Sequence, residues 1–333
     1  MPESIAVLGA GSWGTALAIQ CARSGRETHL WGRDAAQLAA VAAQRENRRY
    51  LPGAAFPPAL SIADNLAAAV DAVRDILIAV PSHAFRETLV MLRPLLRADM
   101  RVCWATKGFE INSGKLPHQV ANDVLGGRWP TAVVSGPTFA REVGAGLPSA
   151  MTIASSDEEF AATFAHSLAT EKFRMYTSTD IIGVETGGAV KNVLAVGAGM
   201  SDGLGFGANT RIALITRGLF EMTRLGVALG ARRETFMGLA GLGDLVLTCT
   251  DHQSRNRRFG LLLAEGRSVD AAQAEIGQVV EGYRAARAVH AVAAKLNVDM
   301  PIADVLYSVL YEGLAPRDAV RDLMLRPVRA EHD

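Results

Sequence analysis

Short apolar runs alternate with longer amphipathic stretches along the first half of the chain. Ile5–Leu8, Thr28–Trp31, Ile76–Val80, Val102–Ala105, Ala132–Val134 and Met151–Ala154 have the length and composition of buried strands. Between them, Gly14–Arg23, Ala35–Arg49, Ala84–Leu96, Leu116–Leu125 and Glu158–Leu168 carry apolar residues at helical spacing. This alternation predicts βαβ units and a mainly parallel sheet. Residues 60–64 form a weaker strand candidate, and residues 172–179 a last, peripheral strand. After about Asp180 the strand pattern stops. Arg211–Leu229, Arg257–Glu265, Tyr283–Leu296 and Ile302–Glu312 read as helices separated by glycine and polar loops. The pattern therefore predicts an α/β N-terminal domain over residues 1–185 and an all-α C-terminal domain over residues 186–333.

Composition narrows the function. Of 333 residues, 49% are hydrophobic and 20% charged, enough to bury a large core. Lys plus Arg equal Asp plus Glu at 34 each, so the chain lacks the basic excess of a nucleic-acid binder. Cys21, Cys103 and Cys249 are sparse and far apart, which fits a reduced cytoplasm and offers no metal-ligand spacing. "MPESIAVLGAG" enters a strand without a signal-peptide pattern, and no apolar run approaches the roughly 18 residues of a membrane span.

The first strand leads into "GAGSWG", which places Gly9, Gly11 and Gly14 in a G-x-G-x-x-G pattern between strand and helix. In that setting the pattern is a dinucleotide-binding turn of a Rossmann-like domain. Gly9 permits the turn, Gly11 lets a pyrophosphate approach the backbone, and Gly14 lets the helix pack on the strand. The second strand ends in Gly32 and Arg33, followed by Asp34. Arg33 pairing with a 2′-phosphate predicts NADP(H). A ribose held by Asp34 predicts NAD(H) instead.

Ligands of parallel sheets lie beyond the carboxyl ends of the strands. Pro81, Ser82 and His83 occupy one such end; Thr106, Lys107 and Gly108 another; Ser135, Gly136, Pro137 and Thr138 a third. Lys107 is either an ammonium for a ligand or a surface lysine. The Gly136 N–H and Thr138 hydroxyl either meet a small polar ligand or cap the following helix.

The helical half holds two odd stretches. "VETGGAVKNVLAVGAG" carries Lys191 as a lone cation among small and apolar residues. Gly188 lies one turn away on the same face, leaving room for a ligand. Burial and a second cation lower a lysine pKa and suit it to move a proton, unless its stem merely snorkels the ammonium to the surface. "GLAGLGDLVLTCTDHQSRNRR" sets Asp244 among leucines, where a carboxylate needs a partner such as Lys191. The run Ser254, Arg255, Asn256, Arg257 and Arg258 before a helix either suits a phosphate or is a basic solvated loop. Glu281 either meets the cofactor or caps the Tyr283 helix.

Taken in order, "ATKG", "SGPTFAREV", "GAVKNVLA", "GLGDLVLTCT" and "SRNR" make the chain resemble bacterial-type NAD(P)-dependent glycerol-3-phosphate dehydrogenases over nearly its whole length. The resemblance implies interconversion of sn-glycerol 3-phosphate and dihydroxyacetone phosphate by hydride transfer, supplying glycerol 3-phosphate for glycerophospholipid synthesis. It implies Lys191 as the catalytic acid/base and Lys107 as a contact for both cofactor and substrate. Substrate contacts carry over to Gly136, Thr138, Asp244, Ser254, Arg255 and Asn256. Cofactor contacts carry over to Ser12, Trp13, Arg33, Ala140, Arg255, Val279 and Glu281. Many relatives have a second basic residue where this chain has Asp34, and other members have Ser or Asn where it has Thr138. A cytoplasmic homodimer without a metal is the expected form. The rival readings are a two-domain dehydrogenase for another phosphorylated or carboxylated keto compound, and a redox sensor that binds NADP(H) without catalysis.

Overall fold

The structure, a computed structural model, describes residues 4–328 and 330. Its eight strands are β1 (Ile5–Leu8), β2 (Thr28–Trp31), β3 (Leu60–Ile62), β4 (Asp75–Ile78), β5 (Arg101–Trp104), β6 (Thr131–Ser135), β7 (Ser149–Ser155) and β8 (Phe173–Ser178). They form one sheet in the order β3-β2-β1-β4-β5-β6-β7-β8. β1, β4 and β5 are buried along their whole length, as expected of strands covered on both faces. One set of helices packs Ser12–Arg23 with Ala140–Ala145 and Glu158–Leu168; another packs Ser82–Leu92 with Pro117–Leu125.

All pairings are parallel except β6 with β7, where Ala132 faces Ser155 and Ser135 faces Thr152. The link between β6 and β7 holds only the six-residue helix Ala140–Ala145, too short for the usual parallel crossover, so β7 returns antiparallel. The predicted helix Ala35–Arg49 stops at Gln44. Arg45 takes a left-handed conformation with φ 51°, and Asn47 then ties the chain back by donating to Ala10 O and Thr15 Oγ1.

The chain divides into two compact units, Met1–Lys107 with Pro117–Ile181 and Gly108–Leu116 with Ile182–Asp333. Gly108–Leu116 falls within the α/β domain expected over residues 1–185. Its Phe109 and Leu116 are instead buried in the core of the helical unit.

The helical unit is built on the 23-residue helix Ile181–Gly203, buried from Gly183 through Ser201. By length and composition this helix passes as a membrane span, which corrects the sequence reading that no such run exists. Most of it is buried inside the protein, so its apolarity serves the core. Its glycines serve close packing. A Cβ on Gly187 would lie 2.4 Å from Ala240 O, and one on Gly199 would lie 1.9 Å from Arg257 O. At Gly187 the packing leaves no room for a side chain. Glu221 caps the helix Pro301–Tyr307 by accepting from Ile302 N and Ala303 N, and burial pushes its carboxyl up to about 7.

Candidate active site

The sheet reverses its winding between β1 and β4, and a crevice at the carboxyl ends of such strands is the usual nucleotide site. Gly9 follows β1 with φ 125°, a backbone region that disfavours any side chain, and its added Cβ would lie 2.5 Å from Ala79 O. A Cβ on Gly14 would lie 1.8 Å from Gly9 O, so strand and helix meet only without side chains there. At Gly11 an added Cβ would meet nothing within 4 Å; that side of the turn is open. No side chain caps the N-terminus of the Ser12–Arg23 helix, so its first N–H groups, which have no intrahelical acceptors, also lack a side-chain one. The buried Trp13 Nε1 has no hydrogen-bond partner among the described residues. Open turn, uncapped helix and orphaned donor fit the pyrophosphate of a dinucleotide. Ser12 Oγ donates to Tyr50 O at 2.6 Å, which fixes the loop that follows the shortened helix beside this turn.

At the end of β2, Arg33 pairs with Glu87 at 3.1 Å, both largely exposed. Asp34 accepts from Gln37 N as the N-cap of the helix Ala35–Gln44 and lies 3.8 Å from Arg49. At the end of β5, Lys107 Nζ donates to Gly136 O at 3.4 Å, joining the ends of β5 and β6. Thr138 Oγ1 donates to the same carbonyl at 3.4 Å. Thr138 is not the helix cap; Phe139 occupies the N-cap of Ala140–Ala145, where Ala140 is the first residue. His83 is exposed in the first turn of Ser82–Leu92.

In the helical unit, Lys191 donates to the carboxylate of Asp244 and to Thr248 Oγ1 at 3.0 Å. Lys191 is 7% exposed and Asp244 1%, so this ion pair is held out of bulk water. Thr248 Oγ1 in turn donates to Asp244 O at 2.6 Å. Asp244 opens the helix Asp244–Thr250, directly after a π-helical turn at Leu239–Gly243. Cys249 beside this cluster is no competing nucleophile, because burial pushes its thiol up to about 12.

The basic run separates into distinct roles. Ser254 is the N-cap of the helix Arg255–Ala264, its Oγ accepting from Arg257 N. Arg255 reaches outward to Gln278 Oε1 at 3.1 Å. Arg257 turns inward to Asp202, away from the anion role that the run as a whole had suggested. Asn256 Oδ1 accepts from Gly282 N and its Nδ2 donates to Asn192 Oδ1, both at 2.8 Å. Asn192 Nδ2 donates to Glu281 Oε2 at 3.2 Å. Glu281 is thus engaged across the unit at the start of the helix Glu281–Leu296, whose N-cap is Val280; Val279 is exposed just before it. Among the described residues, no group of three His, Cys, Asp or Glu side chains is placed to hold a metal ion.

The family model of the NAD-dependent glycerol-3-phosphate dehydrogenase N-terminus matches residues 4–161, and that of the C-terminus residues 180–321. The chain belongs to this family. It is an oxidoreductase that uses NAD(P). A glycerol-3-phosphate dehydrogenase [NAD(P)+] of Vibrio cholerae is 56% identical over 331 residues, covering 99% of this chain and 96% of the relative. One of Photobacterium profundum is 55% identical, covering 98% and 97%. A crystal structure of glycerol-3-phosphate dehydrogenase from Coxiella burnetii superposes with a TM-score of 0.94 at 48% identity, covering 97% of this chain and 99% of that one.

Two residues of the lysine cluster carried no role in the sequence reading. Thr248 lies one helical turn beyond Asp244, a spacing at which two residues share a face. Asn192 follows Lys191 directly and links Asn256 to Glu281. A small polar residue inside an apolar helix was the only signal available for either.

Proposed function

We propose that this chain reduces dihydroxyacetone phosphate to sn-glycerol 3-phosphate, as a cytoplasmic homodimer supplying the glycerol backbone of glycerophospholipids. The observation that carries the reading is the buried Lys191–Asp244–Thr248 cluster in a family whose members are named for glycerol 3-phosphate, the product of this reduction. When bound, the nicotinamide supplies the hydride. Lys191 donates a proton to the C2 oxygen as negative charge grows there, and Lys107 is the second cation for that charge. Asp244 and Thr248 orient the Lys191 ammonium. Arg255, with Ser254 and Asn256, holds the phosphate, so that C2 is fixed by the far end of the substrate. Gly136 and Thr138 line the substrate. Gly9, Gly11, Ser12, Trp13, Gly14, Arg33, Ala140, Val279 and Glu281, with Lys107 and Arg255, hold the dinucleotide.

The test mixes protein, NADPH and dihydroxyacetone phosphate, follows the nicotinamide absorbance, and identifies the product. Consumption of NADPH with formation of glycerol 3-phosphate is expected. Turnover of a carboxylated keto compound in preference would reassign the substrate. Absence of turnover with any substrate, despite NADPH binding, would favour the sensor. A solution mass near twice 35.3 kDa is expected of the same preparation.

Arg33 is the proposed partner of a 2′-phosphate. Its exposed pairing with Glu87 is weak and is exchanged for the phosphate at little cost. Arg33→Ala is expected to weaken NADPH about tenfold relative to NADH, the size of one charge-assisted hydrogen bond. The two dissociation constants, measured by nicotinamide fluorescence, check this. An unchanged ratio would leave the ribose to Asp34.

A further inference from the structure

Arg257 stands inside the basic run yet is 5% exposed, and its guanidinium is committed. Its Nε and Nη2 donate to one oxygen of Asp202, at 3.1 and 2.5 Å. Its Nη1 lies 3.0 Å from His252 Nδ1, which accepts, because a guanidinium can only donate. The other oxygen of Asp202 accepts from Arg211 Nη1 at 2.7 Å. Asp202 is therefore held between two arginines from two different helices, Arg255–Ala264 and Gly207–Ala228.

Asp202 belongs to the helix Ile181–Gly203, about three turns beyond Lys191. The helix that opens with Ser254 and Arg255 is thus pinned to the helix that carries Lys191. Gly199 already lets the two backbones touch at Arg257 O, and a Cβ on Gly260 would lie 2.0 Å from Val196 O. Close packing of this kind holds helices together without a buried ion pair, and replacing such a pair by apolar side chains often costs no stability. What the ion pair adds is register: two nitrogens of Arg257 converge on one oxygen of Asp202 while Arg211 holds the other, so the carboxylate resists sliding and rotation. The Arg257 amide also donates to Ser254 Oγ, so the register passes to the cap of the turn.

We infer that Asp202 is a positioning residue for the phosphorylated substrate: acting through Arg257, it fixes the Ser254–Asn256 turn relative to Lys191. The inference rests on the proposed reading of that turn as the phosphate site. A phosphate seated in the turn then sets where C2 stands against the ammonium.

Asp202→Asn keeps the shape and removes the charge. Its Michaelis constant for dihydroxyacetone phosphate and its inhibition constant for inorganic phosphate are both expected to rise about tenfold, as for loss of one charge-assisted hydrogen bond. Turnover at saturation is expected within about twofold of the parent, with unchanged NADPH affinity. Asp202→Glu is expected to recover part of the loss. Arg257→Lys, which keeps the charge but not the two converging nitrogens, gives the same pattern more mildly and serves if Asp202→Asn does not fold. Unchanged phosphate constants overturn the inference, as does a loss shared equally by NADPH affinity and thermal stability. Arg255→Ala run alongside separates the two readings. If it leaves both phosphate constants unaltered, the phosphate site lies elsewhere and the positioning role falls with it. If it raises both while Asp202→Asn and Arg257→Lys raise neither, only the positioning role falls.

Discussion

Lys191→Ala is expected to lower kcat by about a thousandfold while NADPH binds as before. Positioned acid–base groups contribute about 10²–10⁴ in rate, and in the proposed mechanism the same ammonium also stabilises the charge that develops on the substrate oxygen. The substitution has a second consequence. Asp244 is 1% exposed, and the ammonium is one of its charge partners; removing Lys191 leaves a buried carboxylate short of positive charge. Lost turnover in Lys191→Ala alone would therefore confound chemistry with damage to the fold. The double variant Lys191→Ala with Asp244→Asn removes both charges and is expected to recover stability but no turnover. NADPH affinity and thermal unfolding measured on both variants separate the two causes. Turnover within tenfold of the parent in either variant would take the proton donor away from Lys191.

That pair was legible in the sequence because each partner was out of place. One lysine in a long apolar helix and one aspartate among leucines each needed a counter-charge, and the structure brings the two together. The βαβ alternation and the turn after β1 were legible for a similar reason: strand, glycine spacing and apolar helix are all local. What escaped was set by long-range pairing. Nothing near Asp202 in sequence announces Arg257, and Asn192 gains its place only once Asn256 and Glu281 are folded against it. The end of the helix Ala35–Gln44 escaped as well. The helical pattern runs on past Gln44, but the chain turns out of the helix there and Asn47 bonds Ala10 and Thr15, contacts far away in sequence. Arg257 shows the opposite error: a basic residue within a run that suits a phosphate reads as a ligand group until its partner, Asp202, is seen.

Asp75→Ala is expected to cost about 3–5 kcal/mol of stability, a large part of the roughly 5–15 kcal/mol typical of a folded protein. Asp75 opens β4, Arg101 opens β5 and Arg26 precedes β2, so the three meet at the amino edge of the sheet, opposite the nucleotide turn. Arg26 donates to Asp75 Oδ2 at 2.7 Å, and Arg101 donates to Oδ1 at 2.7 Å and to Oδ2 at 3.0 Å. Arg26 is fully buried and Asp75 1% exposed. Neither arginine depends on the carboxylate alone: Arg26 also donates to Ser167 Oγ and Ser4 O, Arg101 to Thr163 Oγ1, and their guanidiniums lie over Phe164 and Phe160. Removing Asp75 nevertheless leaves two buried cations with no anion between them, which is costlier than the triad was stabilising. Replacing all three by leucine or methionine is expected to be far milder than Asp75→Ala. Guanidinium unfolding midpoints distinguish the two outcomes. Because this edge lies away from the strand ends that carry Gly9, Lys107 and Gly136, the folded fraction of Asp75→Ala is expected to keep the parent's Michaelis constants. A changed constant for NADPH would mean that the amino edge of the sheet shapes the nucleotide turn through the strands themselves.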